Sequence, residues 1–226
     1  MKIREVAITV RRLDAAASFY RDVLRMPVEE EPDRVTVRVG RSRLVIVRGE
    51  QFEGVHHVAF GISPHDFDHA RAWLKGRVDL IPAGGSEVII GPAGWDSRSV
   101  YFLGPEDILL EFIARQADAG LPATDGQVPR PFSISEIGIS VPDTAAAVGE
   151  VTRALRLPTF PPQQPGFAPV GDHDGLLIVV DQNREWFPTQ VLRPAHGPLT
   201  VTIDTPHEPT SIALTKKVTI TAATAD

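Results

Sequence analysis

One alternating pattern occurs three times in this chain, and it restricts the chain to folds assembled from a repeated, strand-led unit. Glu5-Val6-Ala7-Ile8-Thr9-Val10 returns as His57-Val58-Ala59-Phe60-Gly61-Ile62 and again as Glu136-Ile137-Gly138-Ile139-Ser140-Val141. Leu24-Arg25-Met26-Pro27 reappears as Leu155-Arg156-Leu157-Pro158, at the offset that separates the first copy from the third. A repeat on this scale is one supersecondary unit used several times. Within each copy every second residue is apolar, the mark of a strand with one face in a core. The residue that opens each copy lies on the other face, and it is Glu, His or Glu.

Around each copy the sequence predicts the rest of a unit. The first has a strand at 4–10, a helix at 14–25 with its apolar stripe on Leu13, Ala16, Tyr20, Val23 and Leu24, and strands at 28–31, 34–39 and 43–47. The second runs through a strand at 55–62, a helix at 66–74 and strands near 87–90, 99–103 and 108–114. Polar, aperiodic residues 117–131 read as a linker. The third has a strand at 134–141, a helix at 144–155 and strands near 167–170 and 176–180. A fourth leading strand is expected at 199–203 with no amphipathic helix after it, and 217–222 is either one more strand or a tail. The expected organisation is therefore a two-unit domain over 1–115, a linker at 116–132, and a truncated second domain over 133–226.

Composition removes several functions. The formal net charge of −6 over 226 residues disfavours nucleic acid or anionic membrane as partners, which require a positive field. No run of 18 apolar residues is present to form a spanning helix. With no cysteine there is no disulfide, thiol nucleophile or thiolate metal site. A strand begins directly after Met1-Lys2, so no signal peptide is expected and cytoplasm is the default compartment.

Two consecutive β-α-β-β-β units, the first with Ser18-Phe19-Tyr20-Arg21-Asp22-Val23-Leu24 in its helix, resemble the glyoxalase/bleomycin-resistance/dioxygenase (vicinal oxygen chelate) superfamily. His57-Val58-Ala59-Phe60 and the segment from Val100-Tyr101-Phe102-Leu103-Gly104-Pro105 to Leu110-Glu111-Phe112 carry the likeness onward. The resemblance implies an α+β fold: tandem βαβββ modules forming curved, cup-shaped mixed sheets, with helices on the convex face and a ligand in the cup. Parity agrees with that partition. Val6, Ile8, Val58, Phe60, Val100, Phe102, Leu110 and Phe112 would face the helices, while Glu5, Ala7, His57, Ala59, Ser99, Tyr101 and Glu111 would face the cup.

Metal ligands of that superfamily sit on the first and last strands of each unit, which in this chain are Glu5, Val45, His57 and Glu111. The resemblance therefore implies a divalent ion (Fe, Mn, Zn, Ni or Co) on His57, Glu111 and Glu5, with Glu111 or Glu5 as general base. Tyr101, Arg98, Trp95 and Arg38 are the candidate substrate contacts. Departures matter too. Glu5 replaces the first His of the ring-cleaving His-His-Glu set, Val45 cannot ligate, and Gly104-Pro105-Glu106-Asp107 replaces the family's turn. Each candidate also has a plainer reading: a solvated Glu5, a hydrogen-bonded cleft His57, and a Glu111 paired with an arginine such as Arg38 or Arg98. Trp186-Phe187-Pro188 either covers an apolar cup mouth or anchors a loop. Glu136 opens the third copy, but its unit offers Ile178 where Glu111 stands in the second. The second half is thus expected to serve structure, dimerisation or cavity closure.

Three functions follow. One is a metal-dependent enzyme on a small oxygenated substrate, with enolate-type isomerase or lyase chemistry favoured over ring-cleaving dioxygenation. Another is a metal-free protein of the bleomycin-resistance type that sequesters a small apolar or cationic molecule. The last is a structural remnant with a filled cup. An unpaired third unit would seek a second copy, so a homodimer is expected.

Overall fold

The computed structural model describes residues 1–224. The first unit comprises β1 (Lys2–Val10), α1 (Leu13–Ser18), β2 (Val28–Glu30), β3 (Arg34–Val39) and β4 (Ser42–Arg48). The second comprises β5 (His57–Gly61), α2 (Phe67–Lys75), β6 (Leu80–Ile81), β7 (Ile89–Ile90), β8 (Ser97–Leu103) and β9 (Leu109–Arg115). The third comprises β10 (Ser133–Val141), α3 (Thr144–Leu155), β11 (Phe167–Asp172) and β12 (Gly175–Asp181). Then come β13 (Leu199–Thr205), β14 (Thr210–Thr215) and β15 (Val218–Thr224), with no helix after β13 among the described residues. The expected α+β architecture of tandem units in a curved sheet is present.

The apolar parity of each leading strand faces the helices. Val6, Ile8, Val58, Phe60, Ile137 and Ile139 are all buried, in one core with Tyr20 and Leu24, with Leu74 of α2 and with Val151 and Leu155 of α3. Full burial of each such side chain stabilises the fold by about 1.5–3 kcal/mol. The helix after β1 leaves regular geometry early. Phe19–Val23 forms a wider turn, and Arg25 closes it at φ 54°.

Strand pairing decides where the cups lie. β1 runs parallel to β4 and antiparallel to β13, and β13 in turn pairs with β15. β5 runs parallel to β9 and antiparallel to β10, and β10 pairs with β12. The first unit thus joins the fourth, and the second joins the third. The two halves of the sheet meet where β1 touches β10 through a single register pair, Ile3 with Ile134. No hydrogen-bonded ladder links β1 to β5. Division at 1–115, 116–132 and 133–226 follows unit order along the chain, whereas the hydrogen bonding runs across it. The segment after β9 is tied down: Asp66 accepts from Thr124 N at 3.0–3.1 Å and from Thr124 Oγ1 at 3.0 Å. The third unit is also paired within the chain, which removes the reason for expecting a second copy.

Candidate functional site

The cup made by β8, β9, β5, β10 and β12 carries one row of residues across its concave face. Register aligns Tyr101 with Glu111, Glu111 with Ala59, and Ala59 with Glu136. The small Ala59 therefore stands between two carboxylates. His57 projects from the same face two residues earlier on β5. One ligand atom from each of His57, Glu111 and Glu136 lies within 4.8 Å of the other two, and all three residues are buried.

The chemistry of this cluster follows from who satisfies whom. His57 Nδ1 lies 3.2 Å from the Leu109 carbonyl, which can only accept, so Nδ1 carries the proton. Nε2 then presents its lone pair toward Glu111 Oε2, 3.4 Å away. That oxygen is buried and has no hydrogen-bond partner among the described residues. An ionised Glu111 would set two lone pairs against each other, and a proton or a cation relieves the conflict. Burial drives the Glu111 carboxyl up to about 8; the Glu136 charge adds to the rise, while hydrogen bonds from Ser99 and Tyr101 and the Arg115 charge oppose it. Glu136 is also raised by burial, against the pull of Arg115. Burial lowers His57 to about 4, so its imidazole is neutral at pH 7.

A buried arginine completes the site. Arg115, at the end of β9, forms an ion pair with Glu136, sits 3.4 Å from Ser135 Oγ and stacks 5.0 Å from the Trp95 ring centre. Arg115 shares parity with Glu111, and this was the sequence signal for it. The arginines suggested as partners for Glu111 lie elsewhere. Arg38 is exposed and pairs with Glu29 at 2.6 Å. Arg98 stacks on Phe67 at 4.4 Å and reaches Asp68 at 3.4 Å. Neither lines the cavity, which corrects their expected role as substrate contacts.

Glu5 also requires correction. It lies on β1, opposite Thr202 and beside Arg43, and its carboxylate is 2.9 Å from Arg43 Nη2. The strand it occupies belongs to the other cup, in which Val45 and Thr202 supply no comparable ligand. The structure therefore does not bring Glu5 to His57 and Glu111, and the carboxylate that meets them is Glu136. Glu136 was visible as the opening residue of the third copy. Only the pairing of β10 with β5 connects it to His57.

Above the row lies a cavity of about 450 Å³. Tyr101 and Trp95 line it, together with Ile90, Phe167, Trp186 and Phe187. Trp186 is both a cavity wall and an anchor: its Nε1 donates to the Val55 carbonyl at 3.1 Å and its ring centre lies 5.2 Å from that of His57. Gly138 makes this possible, since a Cβ there would meet Trp186 Cη2 at 2.6 Å. Gly138→Ala is expected to unseat the indole and destabilise the protein by about 1–3 kcal/mol. Thermal unfolding and tryptophan emission measure this, and an unchanged melting temperature with unshifted emission would rule it out.

These donors fit a divalent ion. Two carboxylate oxygens and an imidazole nitrogen with its proton held on the far side form a hard O/N set. The unsatisfied Glu111 oxygen gives the cluster an unmet need for positive charge.

Comparison with known proteins agrees with the fold. The chain aligns over 99% of its length with a candidate dioxygenase from Bacillus subtilis subsp. subtilis str. 168, covering 85% of that chain with a TM-score of 0.61 at 12% identity. It aligns over the same share with a glyoxalase I mutant from Zea mays, covering 92% of that chain with a TM-score of 0.60 at 12% identity. At such identities the likeness is one of fold. No functionally curated protein matches the sequence significantly. The family model for the Glyoxalase/Bleomycin resistance protein/Dioxygenase superfamily matches residues 2–112. The chain belongs, through that region, to the glyoxalase/bleomycin resistance protein/dioxygenase superfamily.

Proposed function

We propose that the cup between the second and third units is a divalent-metal-dependent active site acting on a small oxygenated substrate. One observation carries the reading: His57 Nε2 and a partnerless Glu111 oxygen face each other at 3.4 Å, with Glu136 completing a three-ligand cluster. His57, Glu111 and Glu136 would hold the ion. Once bound, it would supply Lewis-acid stabilisation to an enolate formed from a substrate with two adjacent oxygens.

The chain's own residues suit proton transfer. Burial, which pushes Glu111 up to about 8 in the metal-free protein, makes it a stronger base than an ordinary carboxylate, as a group that takes a proton from carbon next to a carbonyl should be. Tyr101 hydrogen-bonds to it and keeps its own proton, because burial and the Glu111 charge raise the phenol well above its usual value. Trp186 and Trp95 exclude water from the floor of the cup. One imidazole with two carboxylates favours isomerase or lyase chemistry over ring cleavage, for which the family uses two imidazoles. All three ligands come from one chain, so this site does not need a homodimer.

A second reading, a metal-free binding cup of the bleomycin-resistance kind, is favoured by Arg115, which already gives Glu136 a cation. Elemental analysis of protein purified without chelator, followed by calorimetric titration with Mn²⁺, separates the two. About one ion per chain is expected. A protein that neither carries nor binds a divalent ion would be the metal-free binder.

A further inference from the structure

We infer that the ligand of this cavity is an amphipathic anion, an aryl or bulky apolar body bearing a carboxylate, and that Arg184 receives that carboxylate. This deepens the proposed function and rests on its placement of the substrate in the same cavity. Arg184 lines the cavity from the loop after β12, half-buried, with its guanidinium 4.9 Å from the Phe167 ring centre. Its Nη1 donates to the Gly166 carbonyl at 3.2 Å and its Nε to the Glu185 carbonyl at 3.4 Å. Among the described residues no carboxylate lies within 4.0 Å of it, and Asp181 is the acid whose charge reaches it from farther off. A partly desolvated guanidinium held by carbonyl oxygens alone still needs an anion, and a bidentate carboxylate matches its geometry.

The charge balance of the cup points the same way whether or not a metal is present. Glu136 is ion-paired with Arg115, and even with Glu111 fully ionised the two arginines, Arg115 and Arg184, match the two carboxylates charge for charge. A divalent ion would make the balance positive. In neither state is the cup net negative, so a cationic ligand finds no attraction there. The walls between Arg184 and the carboxylate row are Phe167, Ile178, Trp186 and Phe187, which suit an aromatic or branched apolar body.

The test uses 3-phenylpropionate and its neutral isostere 3-phenylpropionamide, added to the full-length protein and followed through the emission of Trp95 and Trp186. The acid is expected to bind about tenfold or more tightly than the amide, and to weaken several-fold between 0.05 and 0.5 M NaCl while the amide does not. Arg184→Gln should bring the two probes within about twofold of each other, Arg184→Lys should keep a reduced preference, and Arg38→Gln should change nothing. Equal affinity for the two probes, no binding of either at 10 mM, or a preference that survives Arg184→Gln would overturn the inference. If Arg184→Gln does not fold, the salt response and the acid–amide ratio of the unmodified protein decide. Mn²⁺ titration without probe reports the metal reading separately, so each can fail alone.

Discussion

Glu111→Gln is expected to weaken Mn²⁺ binding by at least about 100-fold, and His57→Ala to do the same, whereas Glu5→Gln leaves it unchanged. Residues that merely orient metal ligands typically cost 10–100-fold when replaced, so loss of a ligand belongs at or beyond the upper end. Glutamine keeps the size and one oxygen of Glu111 but cannot carry the charge that draws a cation into a buried cup. Glu5 is ion-paired to Arg43 in the other half of the sheet and has no path to the cluster. Calorimetry on the three variants reads all of this. Equal loss on Glu5→Gln, or none on Glu111→Gln, would sink the assignment.

The metal-free protein is expected to be most stable near pH 6.5 and to lose about 1 kcal/mol between pH 6.5 and 8, a fall of roughly 2–4 °C in Tm. The sign follows from proton counts. Glu111 rises from its ordinary 4.5 to about 8 on folding, so across that window the folded state holds a proton that the unfolded state has released. Its contribution is therefore lost as pH rises. His56 and His57 are both lowered by burial to about 4, so between pH 4 and 6.5 the unfolded state takes up protons that the folded state refuses. Their contribution grows with pH and offsets Glu111 until about 6.5, above which it fades and the loss from Glu111 outweighs it. Mn²⁺ should abolish the alkaline loss, because the ion replaces the proton on Glu111. It should also bind about tenfold more tightly for each pH unit gained below 8. A Tm that stays flat to pH 9 without metal would show that Glu111 is ionised by another route.

Much of this site was legible in the residues. Alternation assigned Val6, Val58 and Ile137 to the core and their neighbours to the cup, because a strand's side chains must alternate whatever the strand pairs with. That rule correctly set Glu111 and His57 on one face. Choosing Arg38 and Arg98 as partners failed for two different reasons. Arg38 has the parity of the cup face but lies on β3 in the other half of the sheet, and parity carries no information on lateral position. Arg98 shares the parity of Val100 and Phe102, so alternation itself sends it to the helix side, against Phe67.

Sequence alone determined the unit, its repeats, the buried and open faces, and the residue types that open each copy, since all of these are set by near neighbours along the chain. Tertiary structure alone decided that the second unit closes on the third. That pairing joins strands far apart in sequence, and every leading strand presents nearly the same apolar edge, so no local pattern distinguishes the possible partners. By seating β10 beside β5 it gave the cluster Glu136 in place of Glu5, with Trp186 as a wall from the same half of the chain.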